Sequence, residues 1–314
     1  MLRFSRRVWA LGALCVGLGC ESAPAPAPAA AGSAGQGNAA SEEALRLARE
    51  AATKALNPSN LPVYSGPIGN VRGVVKISGD EAPLVPEMVE KLPPNGCSRA
   101  HELHRKLYRE GVGRTLADVL VTVTEYQGFL PARGEAVRVD AQGCAFGSRV
   151  LAMTFGQRLD VYNLDMQAYM PRLVGTASYA LRVAMPGGAP VPVFAPKPGE
   201  YLLVDQTREY VRADVFVLNY PTFAVTSLDG RFEISGVPAG NVKVTAYAPA
   251  LGKVVEQRVD VQSGVDKDIT LQIDFSEKEF RDTLKAQQTE AASSPKPAPS
   301  AAEPPPAAPK TVPH

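Results

Sequence analysis

From residue 220 to 247 the apolar positions Phe223, Val225, Phe232, Ile234, Val237, Val242, Val244 and Ala246 keep a period of two. Two turn signals, Asp229-Gly230 and Pro238-Ala239-Gly240, interrupt them. Alternation broken by tight turns predicts consecutive antiparallel strands, each with one face in a core. The same period recurs upstream at 71–79, 117–124, 136–140, 144–153, 158–163, 178–184, 191–194, 199–204 and 215–218, and downstream at 253–261 and 267–275. Many short strands separated by Gly/Pro turns predict an all-β chain, a Greek-key β-sandwich followed by a smaller sandwich.

Helical periodicity is confined to the flanks. Residues 41–56 carry Ser41 as an N-cap and early acids, and stop at Asn57-Pro58. Residues 276–292 read as a charged helix capped by Ser276. The stretches 21–40 and 293–314 are Ala/Pro-rich with almost no apolar bulk, so they are expected to act as a tether and a tail rather than to fold. Pro-punctuated 83–94 reads as a connector.

The first twenty residues change the picture. A cationic start (Arg3, Arg6, Arg7) precedes a short apolar run ending at Cys20. The run is too short for a resident membrane helix, so 1–20 reads as an export signal. Val16-Gly17-Leu18-Gly19-Cys20 resembles a bacterial lipobox, with Gly17 where Leu is usual. That resemblance implies lipidation of Cys20 and anchoring to a bacterial membrane of the cell envelope; a plain signal peptide cleaved nearby is the alternative. Net charge over the 314 residues is +1, and three cations lie in the leader, which gives no electrostatic reason for a nucleic-acid partner. The single Trp also lies in that leader, at Trp9.

Two resemblances cover most of the remainder. Thr226, Gly230, Phe232, Ile234, Val237, Pro238, Gly240, Val242 and Val244 match the pattern of the carboxypeptidase regulatory-like (transthyretin-like) repeat. The match departs at Leu228 and Asn241. It implies a small binding or structural domain at 219–275 and no chemistry. Upstream, V-x-G-x-V-x-x-S-G, L-x-D-V-L-V-x-V and the run from Gln142 through Asp165 resemble, in that order, a cupredoxin-like domain of the plastocyanin-like or methylamine-utilisation-protein-like kind, placed at 69–218. Type-1 copper needs two imidazoles and a thiolate, usually with a thioether. At the positions this resemblance assigns to those donors stand Tyr169, Asp205, Arg208 and Val211. The resemblance therefore implies a scaffold that has lost copper, with no cofactor; a copper-binding electron carrier of the periplasm is the alternative.

Cys97 and Cys144 are the cysteines left in the folded region, and in an exported chain an even pair reads as a disulfide, worth about 4 kcal/mol for a loop of this length. A second reading stays open. Cys97, His101 and His104 fall on one helical face, and Cys144 could complete a metal set. No nucleophile elbow, zincin pair or phosphate loop is present, and the pairs Asp160/Asp165 and Glu209/Asp214 are ordinary strand-end acids. The expectation is a non-enzymatic binding or structural module; Asp165, Tyr169, Arg208 and Tyr210 are the candidates for a ligand loop, the alternative being that Tyr169, Arg208 and Tyr210 simply plug the vacated copper pocket. An envelope protein is one candidate partner, and a glycan such as peptidoglycan is the other, by fold analogy alone.

Overall fold

The computed structural model describes residues 50–176 and 181–293 together with Glu43, Arg46 and Leu47. The leader, Cys20, the tether, most of 41–49, part of the strand expected at 178–184 and the tail lie outside the described residues. Glu43 and Arg46, paired one helical turn apart, belong to a unit of their own. The other described residues belong to the second unit, which begins at Leu47.

Residues 50–56 are helical (α1), and among the described residues fifteen strands follow, grouped in four sheets. The chain is an all-β sandwich protein, as its alternation predicts. One sheet has the order β12-β1-β15, formed by β12 (Arg231–Pro238), β1 (Ile68–Gly79) and β15 (Asp266–Phe275). It faces the sheet β11-β2-β13-β14, formed by β11 (Phe223–Val225), β2 (Leu120–Thr124), β13 (Gly240–Ala248) and β14 (Lys253–Val261). Their shared core includes Val71, Val75, Val121, Val123, Ile234, Val244, Leu271 and Ile273. The third sheet, β5-β10-β9-β7, uses β5 (Val150–Thr154), β10 (Arg212–Leu218), β9 (Gly199–Asp205) and β7 (Pro171–Leu173). The fourth, β4-β3-β6-β8, uses β4 (Ala145–Phe146), β3 (Ala136–Gln142), β6 (Arg158–Asn163) and β8 (Val191–Phe194). Between these two lie Val139, Phe146, Met153, Leu159, Val161, Leu203, Val215 and Val217.

Strand pairing corrects the division at 218/219. β1 pairs antiparallel with β12 and parallel with β15, and β2 pairs with β11 and β13. Both early strands thus belong to the sandwich completed by 223–275, and β3–β10 form a second sandwich inserted between β2 and β11. Period-two alternation reports which face a residue occupies but not which strand lies beside it, so a partner some 200 residues away leaves no mark on the local pattern. The connector at 83–94 also holds a short helix, α2 (Pro86–Lys91), with Pro86 in its first turn, where the missing N–H costs nothing. β7 is too short for alternation to reveal.

The two sandwiches meet through strands that are buried on both faces. In β2, Val121 and Val123 enter the outer core while Leu120 turns the other way, against Val150, Ala152 and Phe216 of the inserted sandwich. β5 alternates likewise, with Leu151 and Met153 in the inserted core. Phe216 meets Tyr247 edge-on at a centroid distance of 5.8 Å, a favoured aromatic arrangement.

A polar cluster closes one margin of this junction. Arg109 and Asp118 form a buried fork of two 2.7 Å hydrogen bonds. Ser148 donates to Asp118 from the inserted sandwich, and Arg149 donates to the Lys106 carbonyl at 3.1 Å. Helix α3 (Ser98–His104) brings His104 alongside; its side chain is buried and its Nε2 has no hydrogen-bond partner. Burial, and then the nearby Arg149 and Arg212, push its pKa down to about 3.

Three outcomes follow from this architecture. Phe216→Ala empties the layer between the sandwiches and costs about 3 kcal/mol, read by chemical denaturation. His104 stays neutral when folded but takes a proton near pH 6.5 when unfolded, so stability falls as pH drops from that value toward 3. The loss between pH 7 and pH 4 is about 3 kcal/mol, and His104→Leu flattens that slope. The groups facing His104 are Arg109 and Asp118 before β2, Arg149 at the start of β5, and Arg212 on β10; of these Asp118 alone favours the protonated form, and it is already committed to Arg109.

Candidate functional site

The loops at one end of the inserted sandwich bring together three of the four positions singled out for copper, and more besides. Tyr169 is fully buried. Its ring lies under the Arg208 guanidinium, 4.4 Å from centroid to Cζ. Asp205, also fully buried, ends β9 and pairs with Arg208 at 3.2 Å. It also accepts from the Met170 N–H (2.8 Å), the Thr207 N–H (3.0 Å), the Thr207 hydroxyl (2.6 Å) and the Arg208 N–H (3.0 Å). Arg208 spends a further donor on the Ala168 carbonyl at 2.6 Å. Val211 is buried in the core and closes the 205–211 turn through Asp205 N–H to Val211 C=O, 2.9 Å. Tyr210 packs against the same core, outside the polar network.

Tyr169 extends that network to the disulfide. Its hydroxyl donates to Asp165 and accepts from the Cys144 N–H at 3.1 Å. Cys144 follows Gly143 in the turn between β3 and β4, and both have positive φ, 58° for Gly143 and 61° for Cys144. That conformation is costly for a residue with a Cβ. Here Cys144 is held in it by Tyr169, by Asp165 and by the bridge to Cys97. Helix α3 rests on the same turn, with Ala100 N–H donating to the Gly143 carbonyl at 3.1 Å. A Cβ on Gly143 would come within 2.7 Å of Arg99, so only glycine admits this contact.

Electrostatically the network is closed. Burial opposes ionisation of Asp205, but the hydrogen bonds from Arg208, Thr207 and Met170 outweigh it and hold its carboxyl below the usual range. Asp165 is depressed in the same way, with burial outweighed by Tyr169 and the Gly143 and Cys144 amides. Burial, then Asp165, raises the Tyr169 phenol. The two carboxylates are therefore held ionised and the phenol neutral, each paired within the network.

These residues do not fit copper. A phenol, a carboxylate, a guanidinium and an isopropyl group offer no imidazole, thiolate or thioether, and Arg208 is a fixed cation among them. The other metal set is not assembled. Cys97 and Cys144 are disulfide-bonded, with Cα atoms 5.0 Å apart, His101 Nε2 lies 2.8 Å from the Pro93 carbonyl, and His104 faces the junction described above. Among the described residues no three His, Cys, Asp or Glu side chains converge as metal ligands. No local pattern signals the Cys144–Tyr169–Asp165 contact, because it depends on the turn conformation at Gly143-Cys144.

Two substitutions test the network. Asp205→Asn leaves Arg208 half-buried without its anion and costs about 3 kcal/mol, whereas Tyr169→Phe keeps the ring under Arg208, loses only the hydroxyl contacts and costs about 1 kcal/mol. Equilibrium unfolding of both variants measures the difference.

No family model matches the chain, and no curated protein matches it by sequence. Among solved structures it is similar to a copper-containing nitrite reductase from Thermus scotoductus SA-01, at 18% identity and a TM-score of 0.23, over 30% of this chain and 24% of that one. The chain thus spans about a quarter of that enzyme's length. It is also similar to a reduced amicyanin variant, at 16% identity and a TM-score of 0.24, over 31% of this chain and 99% of that one. A Cu(I) amicyanin variant is similar at 17% identity and a TM-score of 0.24, over 31% of this chain and 98% of that one.

Proposed function

We propose that the protein is a non-catalytic, copper-free binding module of the bacterial cell envelope, exported by its leader and held to a membrane through a lipid on Cys20. The observation that carries this reading is the Tyr169–Arg208–Asp205 network. Its residues stand at the positions that the cupredoxin-like resemblance of the sequence assigns to copper donors, and their charges are paired with one another. A scaffold so occupied has its loops left for recognition, the usual place for function on a rigid sandwich.

The position of α1 fits a tethered module. Ala52 is buried beside Gly156, in the turn that leads into β6, whereas Asp165 and Tyr169 follow the opposite end of β6. Helix α1 therefore packs at the end of the inserted sandwich remote from the 164–169 and 206–211 loops, which leaves those loops clear of the N-terminal side of the module.

Copper uptake is the direct test. Purified protein mixed with Cu(II) or Cu(I) and dialysed against a chelator is expected to retain no stoichiometric metal and to show no intense visible band. One copper per chain with such a band sinks the reading. The anchor is tested separately: the protein is expected to partition with membranes, and Cys20→Ala to release it into the soluble fraction.

A further inference from the structure

Beside the closed network the inserted sandwich is open. Its two sheets end at β7 and β8, and between these edges runs a groove of about 640 Å³. Leu173, Leu181 and Phe194 supply its apolar surface, and Arg172, Arg182 and Gln206 its polar surface. Leu181 and Phe194 are 63% and 45% exposed and lie together on this groove. Among the described residues no Asp or Glu lines the groove. Arg172 forms no ion pair among the described residues, and Arg182 reaches the Pro192 carbonyl at 3.0 Å rather than a carboxylate. The groove is therefore cationic with an apolar floor.

The strand registers determine which main-chain groups face it. Arg158 N–H donates to Glu135 on the β3 side, so its partner Phe194 lies in the non-bonded phase of β8, as does Pro192. Phe194 N–H and C=O then point away from the sheet, into the groove. On β7, Gln206 N–H to Met170 C=O (3.0 Å) and Val174 N–H to Leu202 C=O (2.9 Å) place Pro171 and Leu173 in the outward phase. Each edge thus carries a proline at an outward position, which denies a neighbour one ladder hydrogen bond and prevents a long strand from adding. What remains suits a segment of a few residues.

We propose that this groove binds a short, extended peptide segment carrying carboxylate side chains. Arg172 and Arg182 pair with the carboxylates, an apolar side chain lies against Leu181 and Phe194, and the free Phe194 groups bond the peptide main chain. This assignment rests on the reading of the protein as a binding module and names its ligand class.

The test uses the full chain and fluorescence anisotropy with two labelled pentapeptides, one alternating Glu and Val, the other Gln and Val. The Glu/Val peptide is expected to saturate with a Kd of about 10–100 µM. The Arg172→Gln/Arg182→Gln variant is expected to weaken it at least tenfold with an unchanged thermal unfolding midpoint. Equal binding of the Gln/Val peptide, insensitivity to the double substitution, or the absence of saturable binding overturns the proposal. Displacement of the peptide by dodecanoate, with tighter binding of the fatty acid, also overturns it by assigning the groove to acyl chains. A chain that excludes copper yet binds no acidic peptide removes only this inference, whereas stoichiometric copper removes the broader reading whatever the peptides do.

Discussion

Everything in this molecule is arranged around strands that have no solvent side. β2 and β5 each send alternate residues into two different apolar layers, and Phe216 of β10 shares the layer between them. A strand with a single buried face is already held in register, because a one-residue slip would turn its apolar set to water. A strand with two dry faces must in addition fit two packed layers of different shape. The outer sandwich and the inserted one therefore share a boundary that neither can leave. At that boundary Arg109 and Asp118 are buried as a pair, and His104, whose Nε2 has no partner, is kept neutral.

The same demand shapes the loop end of the inserted sandwich. A buried carboxylate such as Asp205 is tolerated because four hydrogen-bond donors and a guanidinium surround it. Arg208 in turn is held by that carboxylate, by a carbonyl and by the face of an aromatic ring. Each member compensates the desolvation of another, so the set is stable only as a whole. Such an arrangement is a poor host for a metal and a rigid support for the groove that begins at Met170 and Gln206.

Much of this was legible in the chain itself. Alternation located most strands, the even cysteine pair joined, and Tyr169, Asp205 and Arg208, picked out because they replace donors, do meet. What escaped was non-local. The β1–β15 pairing is parallel and joins residues far apart, so 69–218 reads as continuous when its first strands belong elsewhere. α2 was hidden by its prolines, and β7 by its three-residue length. The groove left no signal either, because Arg172 and Arg182 lie ten positions apart and only the two sheet edges bring them to one place.

The insertion has a temporal consequence. Asn70 finds its partner only at Asp266, 196 residues later, whereas β3 to β10 are contiguous. In a chain emerging N-terminus first, the inner sandwich is complete while β1 is still waiting, and the cost of closing so long a loop is met last. The outer sandwich is thus a clasp fastened by the final strands to be made. A truncation just before β15 leaves the inner sandwich whole and the clasp undone, exposing one edge of β1 to whatever other strand is near.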